Sequence, residues 1–414
     1  MTVQASEPAR PRIRFNPFSA EFRCDPYPMY RELRTVAPVH KTLGMWVLTR
    51  HADVRTVLLD RSFSAGLIPE LVSAQAERLG QGHVARIERL GRKSLVFTDN
   101  PDHARLRGLV NRVFTAAAVA ELRPVASTAA TRLLSRARAA GSLDLIADFA
   151  APLPISVLCE WMALPEELRA RVGPWTHDIR FLLEPGLMKA ADFARVREVV
   201  EEFATALGEV LAERRRRPGT DLISRLRAVR TTGGDALSDE ELIFVCVMCF
   251  VAGNETTKSL IGNGTLALLR YPDQAALLRQ DPDTVGTAVV EALRYDSPLQ
   301  LTKRLATKDV EIGGRVIRAG DQVLVCLGAA NRDPEVFPDP DRFDLTRDTS
   351  SQLAFGHGMH GCLGGQLAEL VAGVAFAQLR TVDLTPLVDE FEWQDHSFIV
   401  RGLRALPVEI RAAA

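Results

Sequence analysis

The stretch that most limits how this chain can fold is Phe355-Gly356-His357-Gly358-Met359-His360-Gly361-Cys362-Leu363-Gly364-Gly365. Glycines at this density permit positive φ values and let the backbone come close to a bulky partner. An apolar helical pattern opens directly afterwards, which sets Cys362 near a helix N-terminus, where free N–H groups and the dipole favour a thiolate. A thiolate held there suits the axial position of haem iron. A glycine-rich turn around a buried structural cysteine is the plainer reading of the same spacing.

The remaining composition narrows the class. The chain has 414 residues, a hydrophobic share of 47%, a charged share of 25% and a net charge of −1. Those shares are those of a globular protein, and the charge gives no reason to expect nucleic acid or an anionic membrane as partner. The start, Met1–Arg14, is polar and lacks the apolar core of a signal peptide. The longest uninterrupted apolar run, Leu242–Ala252, is too short to cross a bilayer, so the expectation is a cytoplasmic protein. Cys24, Cys159, Cys246, Cys249, Cys326 and Cys362 are scattered rather than framed for disulfides. Cys246-Val-Met-Cys249 lies in an apolar helix without a second pair, so it reads as core packing rather than zinc or redox chemistry.

Along the chain, helical patterns dominate. Pro26–Val36 and Ala52–Asp60 read as helices flanking a strand at Met45–Arg50, while Arg61 to Val96 has a weak pattern expected of an irregular cover. Helical periodicity runs from Asp102–Phe114 to about Leu269. Arg214–Arg217 reads as a solvated helix end. Ser238-Asp239-Glu240-Glu241 is a capping box that starts a long helix continuing to Tyr271, where Pro272 stops it. Asp283–Asp296 is a further helix. Val310–Ile312 and Arg315–Ile317 around Gly313-Gly314 read as a tight hairpin, and Gln322–Leu327 as a strand. Asn331–Arg347 is an irregular meander, a helix follows from Leu363 to about Val382, and the tail reads as short β segments. The expectation is a mainly α fold with a small β portion: a flexible segment over 1–25, then one interlocked domain over 26–414.

The order Phe-Gly-x-Gly-x-His-x-Cys-x-Gly is also the haem-binding signature of the cytochrome P-450 family, and the chain resembles that family here without a mismatch. The resemblance implies the cytochrome P-450 fold and haem b with Cys362 as its thiolate ligand, Phe355, His360 and Gly364 completing the site. His103 and Arg107, one helical turn apart, share a face and match the family's Asp-x-Pro-x-His-x-x-x-Arg; together with Arg304 and His360 they would hold the two propionates, since buried anions need paired donors. Alone, the His/Arg pair reads more readily as a solvated helix face, and its force comes from the motifs around it.

Ala252-Gly253-Asn254-Glu255-Thr256-Thr257 interrupts the long helix pattern. Glycine there costs about 1 kcal/mol relative to alanine, which suggests close approach of something to the backbone. A threonine bonding back to an earlier carbonyl can distort the helix. Cleaving the O–O bond requires protons, which a carboxylate beside a hydroxyl can relay, and the resemblance assigns that acid–alcohol role to Glu255 and Thr256. A polar patch that merely kinks the helix is the alternative. Glu291-Ala292-Leu293-Arg294 is an i, i+3 ion pair common in helices; in the family it forms a buried network with an arginine of the meander, here Arg342.

The resemblance therefore implies a monooxygenase that inserts one atom of O₂ into a lipophilic small molecule, of the kind found in secondary metabolism. The chain carries no flavin, nicotinamide or ferredoxin fingerprint, so electrons would come from a ferredoxin and a ferredoxin reductase. Leu183, Val251, Ala252, Leu299, Gln300, Leu301, Phe398 and Ile399 occupy the family's substrate-lining places, although ordinary core packing explains each equally well. Aromatic coupling, peroxide-driven oxidation and a catalytically silent haem-binding, partner-recruiting role are the alternatives.

Overall fold

The computed structural model describes residues 13–82 and 84–412. Its axis is the long helix Asp239–Arg270, and the capping box starts it as expected. The Glu241 N–H donates to Ser238 Oγ at 3.2 Å, and the Ser238 N–H donates to Glu241 Oε2 at 2.8 Å. At about 1.5 Å per residue the helix spans roughly 50 Å. It stops at Tyr271, and Pro272 opens the next helix, Pro272–Gln280. Helices Pro152–Trp161, Glu166–Ile179, Ala190–Arg216, Val285–Tyr295 and Gly365–Leu379 pack around it. Gly264 makes one of these approaches possible, because a Cβ there would run into the Phe376 ring and sit 3.0 Å from Ala292 Cβ. By length and composition the long helix could cross a bilayer, but 61% of its apolar window is buried inside the protein. Its hydropathy therefore reflects the core.

The β portion is small and lies to one side. Strands Val39–Thr42, Met45–Leu48, Gln322–Cys326, Leu301–Ala306 and Phe63–Ser64 form one sheet in that spatial order, parallel only where Met45–Leu48 meets Gln322–Cys326. Arg304 is registered opposite Val323. Ser142–Asp144, Pro407–Ala412 and Val382–Pro386 form a second sheet. Val310–Ile312 and Arg315–Ile317 form the expected hairpin, with Gly313 at φ 54° and Gly314 at φ 70° supplying the left-handed turn.

Some sequence expectations need correction. Arg61–Val96 is not irregular throughout: it contains helices Leu67–Arg78 and Ala85–Arg92. The helices expected at Asp102–Phe114 and Leu363–Val382 are shorter, Asp102–Val110 and Gly365–Leu379. Of the flexible segment expected over 1–25, residues 1–12, with most of the polar start, lie outside the described residues. The described part is fixed in place: Phe15 and Phe22 are buried edge to face at 5.3 Å, and Ser19 caps the short helix Ala20–Cys24.

Behind the cysteine loop, the Glu291–Arg294 pair is fully buried. Arg294 uses all five of its N–H donors. Nε and Nη2 donate to Glu291 at 2.7 and 2.8 Å, Nη1 to the Asn331 and Pro340 carbonyls at 3.0 and 2.9 Å, and Nη2 also to the Arg342 carbonyl at 3.0 Å. Here Arg342 contributes backbone only. Its side chain points outward, half-exposed, 3.6 Å from Asp273. The arginine that folds in is Arg347, with Nε 3.5 Å from Glu291 Oε1. The meander turns between the two positions, so the side chain five residues later faces the core.

Candidate active site

The glycine loop presents Cys362 as its spacing suggests. Gly356 and Gly358 adopt φ of 68° and 70°, and a Cβ on Gly358 would lie 2.7 Å from the Leu58 carbonyl. The Cys362 N–H donates back to the Phe355 carbonyl at 2.8 Å, and Gly361 N–H to the Gly358 carbonyl at 3.0 Å. Phe355 packs its ring where a Gly365 Cβ would sit, 3.4 Å away. The cysteine is accessible where it faces a cavity. Crowding nevertheless pushes its thiol up, against the pull of the Gly364 N–H and the Arg107 charge. The Gly364 N–H and Arg107 each favour the thiolate expected from the sequence. A coordinated metal cation does so outright.

Four basic groups gather beside this loop. Arg107 Nη1 donates to the Gly361 carbonyl at 2.8 Å. Arg304 is buried and donates to Thr302 Oγ1 at 3.0 Å and the Lys303 carbonyl at 2.8 Å. Burial pulls its guanidinium down to about 10, against the attraction of Asp99. His360 lies 4.5 Å ring to ring from His103. Burial, then the charge of Arg304 and proximity of His103, push His360 down to about 4. Its Nε2 is 3.4 Å from Asp99 Oδ1 but not aligned as a hydrogen bond, and the buried His103 Nε2 also has no hydrogen-bond partner among the described residues. Arg107, Arg304 and His360 line the cavity, while His103 lies behind His360. Buried cations and orphaned donors at one end of a cavity fit the two carboxylates of haem.

On the long helix above, Thr256 opens on the cavity and donates to the Ala252 carbonyl at 2.7 Å. The helix stays continuous through this bond. Gly253 also lines the cavity, and a Cβ there would meet Leu158 at 3.3 Å. Glu255 is buried with Lys258 Nζ at 2.6 Å. Burial pushes its carboxyl up, but the charge of Lys258, with Arg180 and His177, outweighs this and holds it below the usual carboxylate range. Lys258 was not among the sequence candidates, although its i+3 spacing from Glu255 could have signalled it.

The cavity has a volume of about 370 Å³ and runs from Cys362, Phe355 and Gly364 past Thr256 to Leu183 and Ile399. Leu183, Val251, Ala252, Leu299, Leu301 and Ile399 line it as expected. Gln300 and Phe398 do not. Extended backbone alternates its side chains, which sends Gln300 away from Leu299 and Leu301 to donate to the Tyr27 hydroxyl at 3.1 Å and the Ser297 carbonyl at 2.8 Å. Phe398 packs instead against Phe18, ring centroids 4.7 Å apart. Cys249 also reaches the cavity, from the long helix, but burial pushes its thiol up to about 12 and no basic cluster surrounds it. Sequence reading missed Arg180, Glu184, Lys303 and His396 on the cavity wall.

A sequence model of the family Cytochrome P-450 matches residues 174–381. The vitamin D(3) 25-hydroxylase of Pseudonocardia autotrophica is 38% identical over 94% of this chain and 95% of its own. The chain belongs to the cytochrome P-450 family. The 6-deoxyerythronolide B hydroxylase of Saccharopolyspora erythraea is a further relative, 37% identical over 95% of this P-450 and 98% of its own length. The crystal structure of CalO2 superposes with a TM-score of 0.89 at 36% identity, covering 97% of this chain and 100% of that one. Membership makes the protein an oxidoreductase of the monooxygenase type, with haem b held through a cysteine thiolate. The fold is the expected one, mainly α with a small sheet portion.

One consequence for pH follows from the distal wall of this P-450. His396 lines the cavity, and burial first, then the charge of Arg180, push it down to about 4. Between the unfolded value near 6.5 and about 4, the unfolded chain binds more protons than the native one, so stability falls as pH falls through that window. Thermal midpoints measured across it should decline, and His396→Gln should reduce the decline. An unchanged slope in the variant would contradict this.

Proposed function

We propose that this P-450 inserts one oxygen atom from O₂ into a lipophilic small molecule of secondary metabolism, in the cytoplasm, with Cys362 as the haem ligand. Arg107, Arg304 and His360 anchor the propionates with His103 packed against His360 in support, and Phe355 and Gly364 shape the loop under the cofactor. When bound, the haem supplies the redox and oxygen chemistry, favoured by the electron-rich thiolate. The observation that carries the reading is the single cavity joining the Cys362 loop to Thr256 and to the apolar wall of Leu183, Val251, Ala252, Leu299, Leu301 and Ile399. An apolar wall with few polar groups suits a lipophilic ligand.

Glu255 and Thr256 hand on protons. Thr256 keeps its hydroxyl at the cavity surface by bonding back to Ala252, and Lys258 keeps Glu255 ionised and oriented beside it. Retention of both residues favours O₂ as oxidant over peroxide. The electrons come from a separate ferredoxin and ferredoxin reductase. The hydroxylases it resembles are named for chemically different substrates, so neither substrate transfers.

Product formation should depend on O₂ and on added ferredoxin and reductase. Thr256→Val and Glu255→Gln should each lower it about 10²-fold or more, with haem content and ligand-induced spectral shifts retained. Turnover with NADPH and no added partner proteins would overturn the partner assignment. Unchanged product formation in both variants would overturn the proton relay.

A further inference from the structure

The cavity is apolar except along one wall. Arg180, in the 3-10 turn Arg180–Leu183, and Lys303, on strand Leu301–Ala306, both line it. Arg180 is only 7% exposed, and its Nε has no hydrogen-bond partner among the described residues. Its Nη2 contacts His177 Nε2 at 3.0 Å. Among the described residues no carboxylate lies within 4.0 Å of either cation.

The carboxylates of the wall are already engaged. Glu184 accepts from the Ser397 hydroxyl and from the Phe398 N–H, the latter at 2.9 Å. Glu255 accepts from Lys258, and Asp178, near Arg180 but off the cavity wall, accepts from Arg195 at 2.9 Å. Glu184 lies within electrostatic reach of both Arg180 and Lys303, so the two cations flank it. Lys258 pairs Glu255 and Arg195 pairs Asp178. Of the carboxylates acting on Arg180, only Glu184 therefore lacks an ion-pair partner within 4.0 Å among the described residues, and it faces Lys303 as well, two cations against one carboxylate. His177 and His396 add no positive charge at neutral pH, since burial holds both imidazoles below their ordinary value. The Phe181 ring lies 4.5 Å from the Arg180 guanidinium and the Phe398 ring 5.5 Å from Lys303 Nζ, which fixes where the cations sit.

A buried cation with no carboxylate within ion-pair distance is costly until an anion reaches it. We infer that the substrate carries a carboxylate on its lipophilic body, bound by Arg180 and Lys303, with the apolar part reaching past Leu183, Val251 and Ala252 toward Thr256. This rests on the monooxygenase reading of the same cavity. An amine-bearing substrate would have to enter beside Arg180 and Lys303, where like charge opposes it.

Haem-loaded protein titrated with dodecanoic acid, methyl dodecanoate and dodecyltrimethylammonium, followed by haem spin-state shift and by calorimetry, tests this. The acid should bind about tenfold or more tighter than the ester, the scale of a hydrogen bond to a charged group. Arg180→Gln and Lys303→Met should each remove about that factor for the acid while ester affinity stays within about twofold. Equal or tighter binding of the ester or the cation, no response to the acid, or unchanged acid affinity in both variants would overturn the inference. Ester binding that persists without acid preference leaves the monooxygenase reading standing. Failure to oxidise any compound that binds strikes that reading instead.

Discussion

Glu291→Ala should give a P-450 chain that retains little haem. In the native protein Glu291 receives two N–H donors of Arg294 and the Asp344 N–H at 2.9 Å, and lies 3.5 Å from Arg347 Nε. Removing it strands a fully buried guanidinium, which costs about 3–5 kcal/mol, a large part of the roughly 5–15 kcal/mol that holds a domain together. The damage reaches the site along a short path. Arg294 fixes the Asn331 carbonyl, and Asn331 Oδ1 accepts the Leu353 N–H at 2.7 Å, two residues before the loop that carries Cys362. Haem content per chain and the thermal midpoint measure the effect. Arg347→Ala should reproduce part of it, whereas Arg342→Ala should stay within about 0.5 kcal/mol of the parent, as exposed side chains do. Full haem loading in Glu291→Ala, or a greater loss from Arg342→Ala than from Arg347→Ala, would contradict this arrangement.

The two meander arginines mark where sequence reading stops. What was legible obeyed local rules: a serine and a glutamate three residues apart start a helix, two glycines close a hairpin, and glycines around a cysteine mark a close approach. Which arginine turns inward depends on the path of an irregular segment, and no periodicity encodes that path. Gln300 fails for a related reason, since it neighbours lining residues in sequence but faces the other side of extended backbone, and Phe398 lies in a bend with its ring on Phe18. Ala85–Arg92 escaped because its apolar stripe is short, Ile87 and Leu90 alone being buried, and Leu67–Arg78 because Pro69 and Gln75 interrupt the apolar pattern of its buried face. Arg180, Glu184 and Lys303 were passed over because a lipophilic pocket was expected to be lined by apolar side chains.

The thiol itself sets the final test. Burial pushes the Cys362 thiol up, while the Gly364 N–H and the Arg107 charge pull it toward the thiolate that binds metal. Neither Cys249 nor any other cysteine shares the glycine loop and its ring of Arg107, Arg304 and His360. The most direct measurement is the CO-difference spectrum of reduced Cys362→Ala beside that of the parent, with turnover recorded in parallel. The parent should give the thiolate-ligated band, and the variant should lose both that band and product formation. An unchanged thiolate band with full turnover in Cys362→Ala would contradict the account.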